Sequence, residues 1–187
     1  DLQSLPWRLS YIVQLPASGE PFQIADGNQR GAIKRAVNKA TSAGVTVRPA
    51  DSISDLQRWY TLYCETMRRN LIPPRPLRFF LALWELFAGR KMMQLLVAEW
   101  YEGGQSRMLA GSLFLFQGTT VRYAFSASRQ SHQHLRPNDL ILWNAINDAC
   151  RNGFAYFDLG EVPEGHTQLA QFKSKWGAGP VQLYRYY

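Results

Sequence analysis

The chain has 187 residues and carries 21 Lys and Arg against 14 Asp and Glu, a formal net charge of +7. A hydrophobic fraction of 46% with 13% aromatics supplies a packed core and excludes a disordered chain. No apolar run approaches the ~18–20 residues of a membrane span, and the best stretch, Phe79 to Ala88, is broken by Glu85. At this length the chain is one domain with an appendage, or two very small ones. Cys64 and Cys150 are too few and too isolated for a disulfide framework or a zinc site, and both read as buried free thiols in helices. Asp1-Leu2-Gln3 shows neither an initiator Met nor a signal-peptide pattern, so a trimmed start is expected. The composition fits a cytoplasmic chain with an anionic partner.

Arg8 to Leu15 alternates as a strand, and Pro16 to Pro21 reads as the turn after it. From Asp26 the pattern is helical. Ile33, Ala36, Val37, Ala40 and Ala43 recur at helical spacing, and Gly44 stops the run. Arg30, Lys34, Arg35 and Lys39 flank this helix, and no acidic residue occurs between Asp26 and Asp51. A new unit is expected at Val45, where a short β-rich stretch to Arg48 meets Ser52-Ile53-Ser54-Asp55, a capping-box-like helix start. That helix places Ile53, Leu56, Trp59, Tyr60, Tyr63 and Met67 inward and ends at Asn70. Pro73, Pro74 and Pro76 stiffen the connection to a second helix, Leu77 to Ala88, stopped by Gly89.

Three strands follow in close succession: Gln94 to Trp100, Met108 to Gln117 and Thr120 to Ser128. They are joined by turns at Glu102-Gly103-Gly104-Gln105 and Gly118-Thr119. A polar loop, Arg129 to Arg136, precedes Pro137-Asn138-Asp139, which open a helix with Leu140, Trp143, Ala145, Ile146 and Ala149 inward. Gly153 ends that helix; Phe154 to Leu159 is a strand, His166 to Trp176 a short helix and Val181 to Tyr187 a closing strand. From Val45 the order is β-α-α-β-β-β-α-β-α-β, an α/β (α+β) class with a mixed central sheet and helices on both faces.

That order is the order of the GNAT N-acetyltransferase fold. Within it, Leu135-Arg136-Pro137-Asn138-Asp139-Leu140, Phe157-Asp158-Leu159-Gly160 and Phe172-Lys173-Ser174-Lys175-Trp176-Gly177 resemble the Fem branch of the superfamily. Arg30, Ile33-Lys34-Arg35-Ala36 and Gly44-Val45 resemble the same branch's R-x-x-I-R-x-A…G-V element. The resemblance covers Arg30 to Tyr187. It implies an acyltransferase that moves an aminoacyl or acyl group to an amine on a cell-wall or surface-polysaccharide precursor. Fem proteins carry two tandem GNAT units, so residues 1–44 are expected to be the remnant of a preceding unit and 45–187 the complete one. The missing N-terminal unit is then a partner the chain would need, and a non-catalytic GNAT-like binding half is one alternative.

The resemblance implies no permanently bound cofactor and no metal; the donor is an aminoacyl-tRNA or an acyl-CoA. Where acetyl-CoA-dependent members carry a glycine-rich pyrophosphate turn, this chain has Arg129 to Asn138 without a glycine. Several N–H groups then cannot converge easily on a pyrophosphate, which fits a tRNA donor and leaves an acyl-CoA-dependent N-acetyltransferase as the other alternative.

In such a site the donor carbonyl sits beside Tyr123, Ser126 and Ala127 of the splayed strand, whose backbone N–H groups could bind a developing oxyanion, though Tyr123 also reads as an ordinary sheet residue. Lys173, between Phe172 and Trp176, which are expected to bind the donor, is placed to hold a phosphate or stabilise the transition state, or is a solvated helix face. Asp158, read at a strand end, orients the acceptor amine or caps the next turn. Arg136 and Asn138 stand at a helix start that suits an anion, and Asn138 doubles as a candidate N-cap. His132 and His134 share one side of a loop as possible bases. Arg30, Lys34, Arg35 and Lys39 either track an RNA backbone or form a solvated face.

Overall fold

A computed structural model describes residues 3–17, 20–24 and 26–187. The Asp1-Leu2 start and the middle of the expected Pro16 to Pro21 turn lie outside the described residues. The strands are β1 (Ser4–Gln14), β2 (Thr46–Pro49), β3 (Met93–Glu102), β4 (Gln105–Gln117), β5 (Thr120–Ser128), β6 (Tyr156–Val162) and β7 (Gly179–Tyr186). The helices are α1 (Gly27–Ser42), α2 (Ile53–Arg69), α3 (Leu77–Leu83), α4 (Pro137–Arg151) and α5 (Thr167–Ser174). The seven strands form one mixed sheet in the order β2-β3-β4-β5-β6-β1-β7. All pairs are antiparallel except β5 and β6. The element order expected from Val45 onward is the observed one. The strand expected near the start, β1, is inserted between β6 and β7.

Each face of the sheet carries its own core. On one side Ile33 and Ala40 of α1, Leu140, Ile141 and Ile146 of α4 and Trp176 pack with Phe114, Val121, Phe157 and Leu159. On the other, Leu56, Trp59, Leu62 and Tyr63 of α2 and Phe80 of α3 cover Leu95, Val97, Leu113 and Ala127. Local chemistry explains the helix ends. Asp26 caps α1 by accepting from the Asn28 and Gln29 amides at 2.8 and 3.2 Å, and the Ser52 hydroxyl accepts from the Asp55 amide at 3.2 Å to start α2.

Several boundaries differ from expectation, each for a local reason. Ile53 begins α2 one turn before the helix reaches the sheet, so it is exposed. The second helix stops being α-helical at Leu83 and runs on as a single π-helical turn, Trp84–Ala88. The polar loop contains a 3₁₀ helix, Gln130–Leu135. β6 runs on past Asp158 to Val162, so Asp158 lies inside a strand rather than at its end. Cys150 is buried and Cys64 only half-buried. Arg48, at the end of the acid-free stretch, is ion-paired. Its guanidinium holds Asp55 at 2.7 and 2.9 Å and Glu99 at 2.8 and 3.2 Å. The Arg48 contact keeps the Asp55 carboxyl below the ordinary carboxylate range despite its burial.

The tightest approach between layers is at Gly111 in the middle of β4. Trp59 is fully buried, its indole N–H donates to the Gly111 carbonyl at 2.9 Å, and a Cβ at Gly111 would come within 2.4 Å of Trp59 Cδ1. Gly111→Ala is therefore expected to cost about 1–3 kcal/mol of stability through overpacking. Denaturant unfolding measures this, and an unchanged midpoint would show that the tryptophan yields without cost.

Candidate active site

The parallel pairing of β5 with β6 covers only three residue pairs, from Thr120 with Tyr156 to Arg122 with Asp158. Beyond it β5 continues to Ser128 and β6 to Val162 without pairing to each other, which opens a wedge in the sheet. At its apex β5 is irregular. Tyr123 pairs with Phe114 and Phe125 with Leu113, so Ala124 is an extra residue, a β-bulge. Tyr123 packs on the α4 side, while Ala124 and Phe125 both pack on the α2 side. The β5 edge that carries Tyr123, Ser126 and Ala127 thus faces the wedge without a β6 ladder partner there.

Lys173 enters the wedge from α5. It is 5% exposed, and its ammonium donates to the carbonyls of Gly160 at 2.8 Å and Glu161 at 3.0 Å. A Cβ on Gly160 would lie 3.7 Å from Lys173 Nζ and 3.6 Å from the Tyr123 carbonyl, so the ammonium sits at the crotch of the two strands. Burial pushes the Lys173 pKa down to about 8, against the opposing pull of the Asp158 and Glu161 carboxylates. This is no solvated helix face. Asp158 Oδ1 accepts from the Ser10 hydroxyl at 2.6 Å and from the Gly160 amide at 2.8 Å. Arg122 approaches Asp158 at 3.8 Å and Glu161 at 3.9 Å, and Arg8 reaches Glu161 at 3.5 Å.

The Tyr123 phenol is pushed above its usual pKa by burial, an effect the Ser126 and Ser112 hydroxyls oppose. Those two hydroxyls are 3.4 Å apart. Trp176 is fully buried with its indole N–H unpartnered, and Asn138 Oδ1 is likewise buried without a partner. Asn138 is not the cap of α4. That position belongs to Arg136, which has left-handed backbone (φ 59) and no side-chain capping bond. The Lys175 ammonium bonds Asp139 in the first turn of α4 and lies 4.5 Å above the Phe172 ring.

Arg136 and Lys175 share a cavity of about 320 Å³ with Arg35 and Lys39 of α1. The structure therefore brings two of the four basic α1 residues to the start of α4. Arg30 and Lys34 remain exposed outside this cavity. His132 and His134 lie apart from the wedge, on the 3₁₀ helix, with the His132 ring 5.8 Å from Trp100. Sequence reasoning did not single out Ser10, Glu161 or Arg122. The signal that could have found Glu161 is a glycine and an acid continuing the strand directly after Asp158-Leu159. Ser10 carries no local signal, because its partner is 148 residues away. Among the described residues no helix is long and apolar enough to cross a membrane, and no cluster of His, Cys, Asp and Glu is arranged to hold a metal ion.

A family model described as the acetyltransferase (GNAT) domain matches residues 27–174. No curated protein matches the sequence significantly. Among solved structures, FemX superposes with a TM-score of 0.78 at 16% identity, over 95% of this chain and 60% of its own. The C-terminal domain of a putative lysylphosphatidylglycerol synthetase from Agrobacterium fabrum gives 0.70 at 12% identity, over 98% of this chain and 60% of its own. L-PGS from Bacillus licheniformis gives 0.68 at 13% identity, over 100% and 61%. At these identities the likeness is one of fold, and it bears out the Fem-like GNAT architecture expected from the sequence. The chain spans about 60% of the length of these solved relatives.

The cavity at the start of α4 presents four cationic side chains, one of them paired with Asp139, beside helix amides with no side-chain cap. Inorganic phosphate is expected to bind there with an affinity that falls steeply with salt. Replacing Arg136 and Lys39 together with Ala is expected to weaken it at least tenfold in a calorimetric titration. Equal binding by the double variant would place the anion elsewhere.

Proposed function

This chain belongs to the GNAT acetyltransferase domain family, and from that premise we propose that it transfers an aminoacyl or acyl group to an amine acceptor, with the wedge between β5 and β6 as its active site. The observation that carries this reading is the buried Lys173 ammonium at the point where the strands part. In the proposed reaction a neutral acceptor amine attacks the donor carbonyl lying along Tyr123–Ser128. A C–N bond forms as the donor's C–O or C–S bond breaks, the amine gives up a proton and the departing oxygen or sulfur gains one. The carbonyl oxygen becomes an oxyanion in between, and backbone N–H groups of β5 near the Ala124 bulge and the Lys173 charge stabilise it. No covalent enzyme intermediate is needed. Asp158 and Glu161 set the charge around the Lys173 ammonium, with Arg8 and Arg122 as their partners at the rim.

The donor we favour is an aminoacyl-tRNA. The cavity at the α4 start suits a phosphate, and the exposed Arg30 and Lys34 continue the basic surface along α1 as a nucleic-acid backbone would require. Acyl-CoA is the second reading, supported by the family description and by the same cavity. The acceptor is proposed to be an amine on a cell-envelope precursor, met in the cytoplasm. Residues 1–44 are proposed to be the tail of a preceding GNAT unit whose strand β1 completes the sheet of the unit that follows. An acceptor groove shared with that unit is supported by the greater length of the solved relatives.

Lys173→Ala is expected to lower kcat by about 10²–10³-fold with donor affinity retained, and to lower the melting temperature as well, because the Gly160 and Glu161 carbonyls lose their donor. Because the ammonium deprotonates as pH rises through about 8, the rate should fall on the alkaline side of that value, and Lys173→Arg should move the fall to higher pH. A wild-type rate in Lys173→Ala would remove the residue from the chemistry. Calorimetry with acetyl-CoA and with an aminoacyl-tRNA separates the donors: heat from the tRNA alone is the expected result, and heat from acetyl-CoA alone would favour the second reading.

A further inference from the structure

β1 lies outside the segment that the family model matches, yet it reaches the centre of the wedge. Ser10 is 1% exposed and donates its hydroxyl to Asp158 Oδ1 at 2.6 Å. The same oxygen accepts the Gly160 amide two residues along its own strand at 2.8 Å. Here the register of β1 on β6 shifts. Ser10 faces Glu161 and Ile12 faces Asp158, so Leu159 and Gly160 together oppose Tyr11. β6 therefore carries a bulge of its own, made possible by the left-handed backbone of Gly160 (φ 84). The two carbonyls that leave this bulge, Gly160 and Glu161, are the ones that hold Lys173.

We infer that Ser10 and Asp158 are positioning residues that act through Lys173: together they lock the β6 bulge, aim its carbonyls at the ammonium and fix a carboxylate beside it. Asp158 satisfies no substrate in this role. Its oxygen is already engaged by Ser10 and Gly160, and it influences the reaction by the charge and shape it gives the Lys173 pocket. The charged and titratable groups around that pocket are Asp158 and Glu161 on β6, Arg122 and Tyr123 on β5, Arg8 on β1 and, just past the end of α5, Lys175, which is held by Asp139. Of these, the two β6 carboxylates act on the ammonium to raise its proton affinity against burial. The consequence for turnover rests on the acyl-transfer reading above; the consequence for Lys173 itself does not.

The test is an NMR titration of the Lys173 side-chain nitrogen in the full chain, with Lys173→Arg used to assign the signal. It needs no substrate, so it can fail while the acyl-transfer reading stands, and the reverse. Asp158→Asn keeps an oxygen for the Gly160 amide and removes only the charge. It is expected to lower the Lys173 midpoint by about one pH unit, a tenfold loss of proton affinity. Ser10→Ala releases the carboxylate to swing toward Arg122, 3.8 Å away, and is expected to shift the midpoint in the same direction. Ser10→Thr, which retains the hydroxyl, is expected to restore it. If Asp158→Asn and Ser10→Ala fold and leave the midpoint unmoved, or lower only the melting temperature, both residues serve the fold alone and the inference is overturned.

Discussion

A lysine ammonium held away from water between two strands that have ceased to pair is the interaction on which the rest of this structure turns. Parting β5 from β6 creates room in the middle of the sheet but strands backbone carbonyls in its interior, where each must find a donor. Lys173 satisfies two of them. Burying a charge is costly, and the cost is offset by those hydrogen bonds and by the Asp158 and Glu161 carboxylates nearby. The same side chain thus props the wedge open structurally and, in the proposed reaction, supplies the positive charge that faces the oxyanion.

The surplus of basic residues divides by environment once each is placed. Arg48 and Arg58, themselves partly exposed, pair with the carboxylates of buried Asp55 and half-buried Glu99, where they fasten β2 and β3 to the start of α2. Arg8 and Arg122 neutralise the acidic rim of the wedge. Arg35, Lys39 and Arg136 collect instead at the uncapped start of α4, where helix amides add to their field. Net charge alone could not distinguish these uses, because internal ion pairs and ligand-facing cations count equally in the total.

What was legible in the sequence follows from which interactions are local. Apolar periodicity, caps and glycine stops placed α1, α2, α4 and the β3-β4-β5 meander to within a few residues, because those signals lie within each element. Lys173 was legible because it stands between Phe172 and Trp176, in a short helix that could be placed after the strand. The extent of β6 was not, since a strand that bulges at a left-handed glycine looks like a strand that ends there. Asn138 looked like a cap because asparagine before a helix usually is one; here a left-handed Arg136 begins the helix and leaves the Asn138 amide oxygen buried. The pairing of Arg48 with Glu99 has no local signal, because the two are 51 residues apart. Non-local pairings of this kind leave no periodic trace.

The place of β1 between β6 and β7 also dictates when the site can exist. The first strand cannot form its ladder until residues 156 to 186 are available, and β6 and β7 are joined in the sheet through it. A chain emerging from the ribosome can build the β3-β4-β5 meander and its α2 covering early. It must hold Leu5, Trp7, Leu9 and Val13 unpaired until the last strands arrive, at the entropic cost of closing a loop that spans most of the polypeptide. The lysine pocket is consequently among the last features to assemble, and its completion reports that both ends of the described chain have met.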